Sequence, residues 1–185
     1  MAGLILITGG ARSGKSSYAL KRGEALVGTR HFIATCPVID REMQLRITRH
    51  REEREGRGWQ TIEEEIDIAG RIEGIADAGA ILIDCLTLWL NNLLYRAELA
   101  QKTFDEKNVA VECDRLIAAA AGCAGTVICV TNEVGMGIVP DTPLARHYRD
   151  LVGCCNRLLA AQADEVVLVS CGIPLFLKKD GQAIG

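Results

Sequence analysis

The run Leu4-Ile5-Leu6-Ile7-Thr8-Gly9-Gly10-Ala11-Arg12-Ser13-Gly14-Lys15-Ser16 has the spacing GxxxxGK[ST], with an apolar stretch before it and a helix-forming stretch after it. Glycines at such positions let a loop wrap tightly enough for its backbone N–H groups to point at phosphate oxygens. The helix that follows offers its positive dipole end to the same anion. Lys15 can reach the β- and γ-phosphates of a nucleotide, and the Ser16 hydroxyl can ligate Mg²⁺. Gly9, Gly10, Ala11, Arg12, Ser13, Gly14, Lys15 and Ser16 are therefore expected to form a P-loop, with Lys15 acting directly in phosphoryl transfer. An accidental glycine-rich turn would not need the strand before it and the helix after it.

A P-loop enzyme needs a second acidic group near the metal, at the end of a neighbouring strand. Asp84 closes the apolar run Ala80-Ile-Leu-Ile-Asp84, where the C-terminal edge of a parallel sheet collects ligand-binding groups. Ser16 and Asp84 are the expected Mg²⁺ ligands. A helix N-cap role for Asp84, ahead of the segment starting near Leu86, is the structural alternative, and the two are compatible.

His50 has a different potential. A neutral imidazole is a competent nucleophile near neutral pH, because its reference pKa is about 6.5. Attack at the α-phosphorus of a nucleotide would expel pyrophosphate and divide one transfer into two displacements. Arg46, Arg49, Arg51 and Arg54 are close enough in sequence to stabilise the developing charge. Against this, Met43, Ile47 and His50 share one helical stripe, and on residue pattern alone a core-facing stripe with a solvated arginine face is the better account. His31 and His147 fit hydrogen-bonded structural or surface roles.

These groups must be positioned by a fold. The chain has 185 residues, enough for one domain with a sizeable core, and residues 1–185 read as a single P-loop nucleotide-binding domain. Its formal charge of −3 lacks the basic excess of a nucleic-acid binder. Eight scattered cysteines without a CxxC pair or a secretory pattern read as reduced thiols of a cytoplasmic protein. The run Leu4 to Thr8 is too short to span a membrane. Strands are expected at Leu4–Thr8, His31–Thr35, Ala80–Asp84, Thr126–Thr131 and Glu165–Ser170, with a weaker one at Trp59–Ile62 and a C-terminal hairpin through Ile173–Leu177. Helices are expected at Lys15–Val27, Asp40–Glu55, Ile66–Asp77, Asp105–Ala121 and Pro143–Ala163. Strands alternating with helices predict an α/β fold, a RecA-like P-loop NTPase of three layers around a mostly parallel sheet.

Three further segments narrow the reading. They are Arg46-Ile-Thr-Arg-His50-Arg-Glu-Glu-Arg54 with Trp59-Gln-Thr61-Ile-Glu63; Asp84-Cys-Leu-Thr-Leu-Trp-Leu-Asn-Asn-Leu-Leu94; and Thr131-Asn-Glu133-Val-Gly-Met-Gly-Ile-Val-Pro140, continuing through Leu144-Ala-Arg146-His-Tyr-Arg149-Asp150. Together with GGARSGKS, they resemble the bifunctional adenosylcobinamide kinase / adenosylcobinamide-phosphate guanylyltransferase family over essentially the whole chain. The resemblance implies that ATP or GTP phosphorylates the aminopropanol arm of adenosylcobinamide. GMP from GTP is then transferred to adenosylcobinamide phosphate through a GMP-histidine, giving adenosyl-GDP-cobinamide and pyrophosphate. His50 matches the family's nucleophile, which reverses the weighting above. Ala34, Thr35, Cys36, Arg51, Glu52, Glu53, Arg54, Glu63 and Asp84 match nucleotide-lining positions. A homo-oligomer, specifically a trimer, is also implied. Asn132 and Glu133 would shape the corrinoid or phosphoryl-transfer site.

The resemblance departs from the usual pattern between Arg54 and Trp59. The loop is one residue longer there, and Glu55 stands where proline is common. Asn156-Arg157 also replaces a common Asn-Gln pair. Two other readings fit the P-loop alone. A monofunctional kinase for another small alcohol would form no covalent nucleotide, and a RecA-like switch would respond to a macromolecular partner.

Overall fold

The structure is a computed structural model that describes residues 3–37, 41, 48, 51–52 and 54–184. The elements run β1 (Gly3–Thr8), α1 (Lys15–Glu24), β2 (Thr29–Ala34), β3 (Trp59–Glu63), α2 (Ile68–Glu73), β4 (Ala78–Asp84), α3 (Leu86–Leu99), α4 (Glu106–Gly122), β5 (Thr126–Val130), α5 (Pro143–Gln162), β6 (Glu165–Ser170), β7 (Ile173–Lys179) and β8 (Gln182–Ala183), with a 3₁₀ turn at Val134–Met136. One sheet has the order β3-β2-β4-β5-β1-β6-β7-β8. The strands from β3 to β6 pair in parallel, and β7 and β8 close the edge antiparallel.

The continuous apolar strands follow from burial on both faces. In β1, Leu4 and Leu6 join the core beneath α2, α3, α4 and α5, while Ile5 and Ile7 join the core beneath α1. β4 and β5 divide in the same way, with Ile81, Ile83, Val127 and Cys129 on one side and Leu82, Ile128 and Val130 on the other. The outcome is the expected three-layer α/β fold.

Several boundaries moved for local reasons. α1 ends at Glu24 rather than Val27, because Ala25 is its C-cap and Val27 is 96% exposed, with no core to join. The helix expected over Ile66–Asp77 shortens to α2, capped by Asp67 and ended at Gly74. In the Asp40–Glu55 stretch, Arg41, Thr48, Arg51 and Glu52 are helical and Glu55 lies in a turn; Met43, Ile47 and His50 lie outside the described residues. The largest addition is α3 (Leu86–Leu99), absent from the expected helices because the crowded apolar residues of Leu86–Leu94 blur the helical period. Its Leu86, Trp89, Leu90 and Leu93 are buried in the major core.

The turn following Arg54 is tied to the far end of α1. Arg57 and the Trp59 indole both donate to the Glu24 carboxylate, at 2.8 and 3.1 Å. Burial works to raise the Glu24 pKa, but these donors and the Arg57 and Arg30 charges outweigh it and hold it below the ordinary 4.5. A carboxyl depressed in the folded state contributes stability that is present above its unfolded value and lost as pH falls through the folded one. Glu24→Gln is therefore expected to cost about 1–2 kcal/mol at neutral pH. Melting curves should show that gap closing as pH falls below 4.5, and a gap independent of pH would refute the assignment.

Candidate functional site

The loop between β1 and α1 is built by backbone geometry. Gly9 has φ of +153°, and a Cβ there would lie 2.3 Å from the Val169 carbonyl oxygen and 2.7 Å from Ser13 Oγ. Gly14 has φ of +92°, and its Cβ would lie 3.2 Å from Gly172 Cα. The turn after β6 thus forms one wall of the loop, fastened by Gly172 N–H donating to Ser13 O at 2.9 Å. Ser13 Oγ is buried without a hydrogen-bond partner among the described residues. Lys15 Nζ folds back to donate to Gly10 O at 3.0 Å. Gly9→Ala is expected to weaken nucleotide binding about ten- to hundredfold, since strain of roughly 1–3 kcal/mol would fall on the loop. Titration calorimetry with Mg-GTP tests this, and unchanged affinity would show that the loop tolerates the side chain.

Helix capping marks the same region. α2, α4 and α5 carry side-chain caps from Asp67, Asp105 and Thr142. α1 and α3 do not; their N-caps are Gly14 and Cys85, without a side-chain cap hydrogen bond. First-turn N–H groups that no side chain caps can serve an anion. The N-cap of α3 is thus Cys85, which corrects the capping alternative for Asp84: that residue sits one position too early, as the last residue of β4.

Asp84 and Lys15 meet electrostatically at Cys85. Burial pushes the Cys85 thiol up to about 11, the Asp84 carboxylate adds to the rise, and the Lys15 ammonium opposes it. Cys85 is therefore a neutral thiol near pH 7, poorly suited to nucleophilic attack. Thr35 closes the floor. Its hydroxyl donates to Cys85 O and accepts from Cys85 N–H, both at 2.8 Å, and its carbonyl accepts from Asn92 Nδ2 at 2.8 Å. Tyr148 reaches in from α5 to donate to Thr87 O at 2.9 Å. Ala34 and Cys36 flank Thr35, where a groove of about 520 Å³ opens, lined in part by Pro37, Glu65, Asn92, Tyr95 and Leu99.

After β5, which lies between β4 and β1, Glu133 N–H donates to Gly9 O at 3.3 Å. The Glu133 carboxylate accepts from Thr8 Oγ1 at 2.6 Å and from Asn156 Nδ2 at 3.3 Å. Asn156 also accepts from Thr131 Oγ1 at 2.7 Å. Sequence reasoning noted Asn156 only as a departure from a pattern, and Cys85, Asn92 and Tyr148 not as site residues. The Asn91-Asn92 pair interrupting the apolar run before Leu94 was the available signal for Asn92.

The residues after His50 are arranged differently. Arg51 pairs with Glu63 at the end of β3, and both are more than half exposed. Glu52 is exposed and helical. Arg54 is 6% exposed, with Cζ 3.6 Å from the centroid of the Phe32 ring and Nη2 3.4 Å from Thr61 Oγ1. His50 and Glu53 lie outside the described residues. His31 is buried in β2 with Nε2 4.0 Å from Asp77, and His147 Nε2 bonds Phe104 O at 2.8 Å. Among the described residues no cluster of His, Cys, Asp or Glu forms a metal cage.

The sequence profile of the family described as cobinamide kinase / cobinamide phosphate guanyltransferase matches residues 5–177. The chain belongs to that family. It is a kinase and guanyltransferase with the two activities for which the family is named. Similar to it are the bifunctional adenosylcobalamin biosynthesis proteins CobU of Salmonella typhimurium, 43% identical over 95% of this chain and 99% of the relative, and CobU of Escherichia coli, 42% identical over the same shares. The corresponding CobP of Pseudomonas aeruginosa is 37% identical over 94% of this chain and 96% of its own length. The fold of this cobinamide kinase/guanyltransferase also resembles the flagellar accessory protein FlaH of Methanocaldococcus jannaschii, with TM-score 0.51, 10% identity and coverage of 100% of this chain and 82% of the other. An ATPase of a bacterial type III secretion system gives TM-score 0.56 at 11% identity, covering 91% and 51%. At such identities the likeness concerns fold alone.

Proposed function

We propose that both reactions run on one nucleotide edge, with Lys15 serving phosphoryl transfer and His50 serving guanylyl transfer. The observation that carries this reading is that the P-loop leaves the C-terminal end of β1 and Asp84 closes β4 on the same edge of the parallel sheet, with only β5 between them. β2 lies three positions from β1 in the sheet, about 14 Å at ~4.8 Å per strand. A GTP with its β- and γ-phosphates at the P-loop would then extend past Asp84 towards Ala34, Thr35, Cys36 and Glu63.

In the kinase step the hydroxyl of adenosylcobinamide attacks the γ-phosphorus of ATP or GTP, and the nucleoside diphosphate leaves. In the second reaction an imidazole nitrogen of His50 attacks the α-phosphorus of GTP and pyrophosphate leaves. An oxygen of adenosylcobinamide phosphate then attacks the guanylyl phosphorus, releasing His50 and forming adenosyl-GDP-cobinamide. Lys15 and the loop N–H groups neutralise charge on the outer phosphates throughout. The hydroxyl of Ser16 and the carboxylate of Asp84 are hard oxygen donors suited to Mg²⁺, whose charge would offset that of the phosphates when bound. Arg51, paired with Glu63 at the edge of the sheet, is available to the nucleotide's phosphates, whereas Arg54 supports the segment by covering Phe32.

The remaining parts of this reading are a single domain over residues 1–185, a cytoplasmic location and a homotrimer. No helix among the described residues is long and apolar enough to cross a membrane. The row Ile173, Leu175 and Leu177 on β7, exposed beside Ile184, is a surface that a subunit contact would cover. Light scattering on the purified chain tests the trimer. Incubating the wild-type protein with Mg²⁺ and α-labelled GTP tests the chemistry: acid-labile label on denatured protein is the expected result. Absence of label despite GTP binding would rule out the GMP-histidine intermediate and leave guanylyl transfer to proceed without a covalent adduct.

A further inference from the structure

The segment between β5 and α5, together with the first turn of α5, carries four large apolar side chains held out in solvent. Met136 is 77% exposed, Ile138 95%, Val139 60% and Leu144 55%. No ionisable side chain lies between Glu133 and Asp141. An apolar patch of this kind marks a binding surface more often than an accident of composition.

The loop is braced, so this exposure is built in. Met136 N–H donates to Glu133 O and Gly137 N–H to Val134 O, each at 3.2 Å. Arg146 Nη1 donates to the carbonyls of Pro140 and Asp141, each at 2.9 Å, and Thr142 caps α5 through Ala145 N–H at 3.2 Å. At its inner end the same loop is fastened to the phosphate cradle through Glu133, which bonds Gly9 and Thr8. β5 and β1 are sheet neighbours, so the loops leaving their C-terminal ends lie side by side.

We propose that loop 136–144 is the seat of the corrin macrocycle, with Met136, Ile138, Val139 and Leu144 against the ring. This rests on the family's substrate being cobinamide. The reacting hydroxyl sits on a flexible arm and must reach the terminal phosphate at the P-loop. The macrocycle is too broad to enter that loop and must rest on its rim. Between its amide arms the macrocycle carries methyl groups and a hydrocarbon periphery, which an uncharged apolar patch fixed at its inner end to the cradle can cover.

Equilibrium dialysis of the full chain with adenosylcobinamide, read by its visible absorbance, tests this without requiring catalysis. Ile138→Ser with Val139→Ser should raise the Kd for adenosylcobinamide about tenfold or more, the scale of losing apolar contacts from a binding site. Ile138→Leu should restore near-wild-type binding, and the Kd for GTP should stay unchanged in every variant. An unaltered corrinoid Kd in the double variant overturns the proposal. A raised Kd found only together with a drop in particle mass by light scattering also overturns it, assigning the patch to a contact between copies of the chain. A missing guanylyl adduct in the wild type counts against the His50 chemistry and leaves this binding measurement intact.

Discussion

His50→Ala protein incubated with Mg²⁺ and α-labelled GTP is expected to retain no acid-labile label after denaturation, while wild-type protein retains it. Guanylyl transfer to cobinamide phosphate should fall on the order of 10⁴-fold or more, as it does when a covalent nucleophile is removed. Alanine leaves the neighbouring supports in place: Arg51 still pairs with Glu63, Arg54 still covers Phe32, and Arg57 still binds Glu24. These contacts anchor the residues after position 50 to β3, β2 and α1, so loss of the imidazole should remove a nucleophile without unseating the segment. Cobinamide phosphorylation with ATP should therefore survive. Loss of both activities together, at unchanged melting temperature, would mean that His50 positions the nucleotide for both reactions. Retained label in the variant would assign the adduct to another side chain.

Lys15→Ala is expected to lower the kcat for cobinamide phosphorylation about 10²–10³-fold, the cost of removing one preorganised charge stabiliser. Lys15 donates to Gly10 O in the structure, an exposed bond of 3.0 Å. Little stability depends on that bond, so the melting temperature should hardly move. The loop N–H groups and the start of α1 remain, so nucleotide binding should weaken less than kcat falls. Steady-state assays with saturating ATP and with saturating GTP, beside α-label incorporation, separate the effects. A parallel loss of label would indicate that Lys15 also stabilises departing pyrophosphate. An unchanged kcat would remove Lys15 from the chemistry.

The turn between β1 and α1 was legible in the sequence because its requirements are local. Gly9 and Gly14 are needed where positive φ and close backbone approach leave no room for a Cβ, and Lys15 and Ser16 follow within the same turn. The strands were legible for a related reason: burial on both faces demands uninterrupted Ile, Val and Leu, and this sheet is buried on both faces over β1, β4 and β5. That same burial hid α3. A helix whose first half is crowded with Leu and Trp, and whose exposed face still carries Tyr95 and Leu99, loses the periodic contrast that identifies an amphipathic one.

What the sequence determined by itself is the alternation of strand and helix, the P-loop, and the family-specific segments around His50, Asp84 and Glu133. What only the tertiary structure decided is which distant groups meet. Thr35 is stitched to Cys85, Asn92 binds the Thr35 carbonyl, Glu133 fastens to Gly9 and Thr8, and Arg54 settles on Phe32. These pairings depend on strand order, and the order β2-β4-β5-β1-β6 is not the order of the chain. Local residue types fix which groups can bond; the packing of non-consecutive strands fixes which of them come into contact.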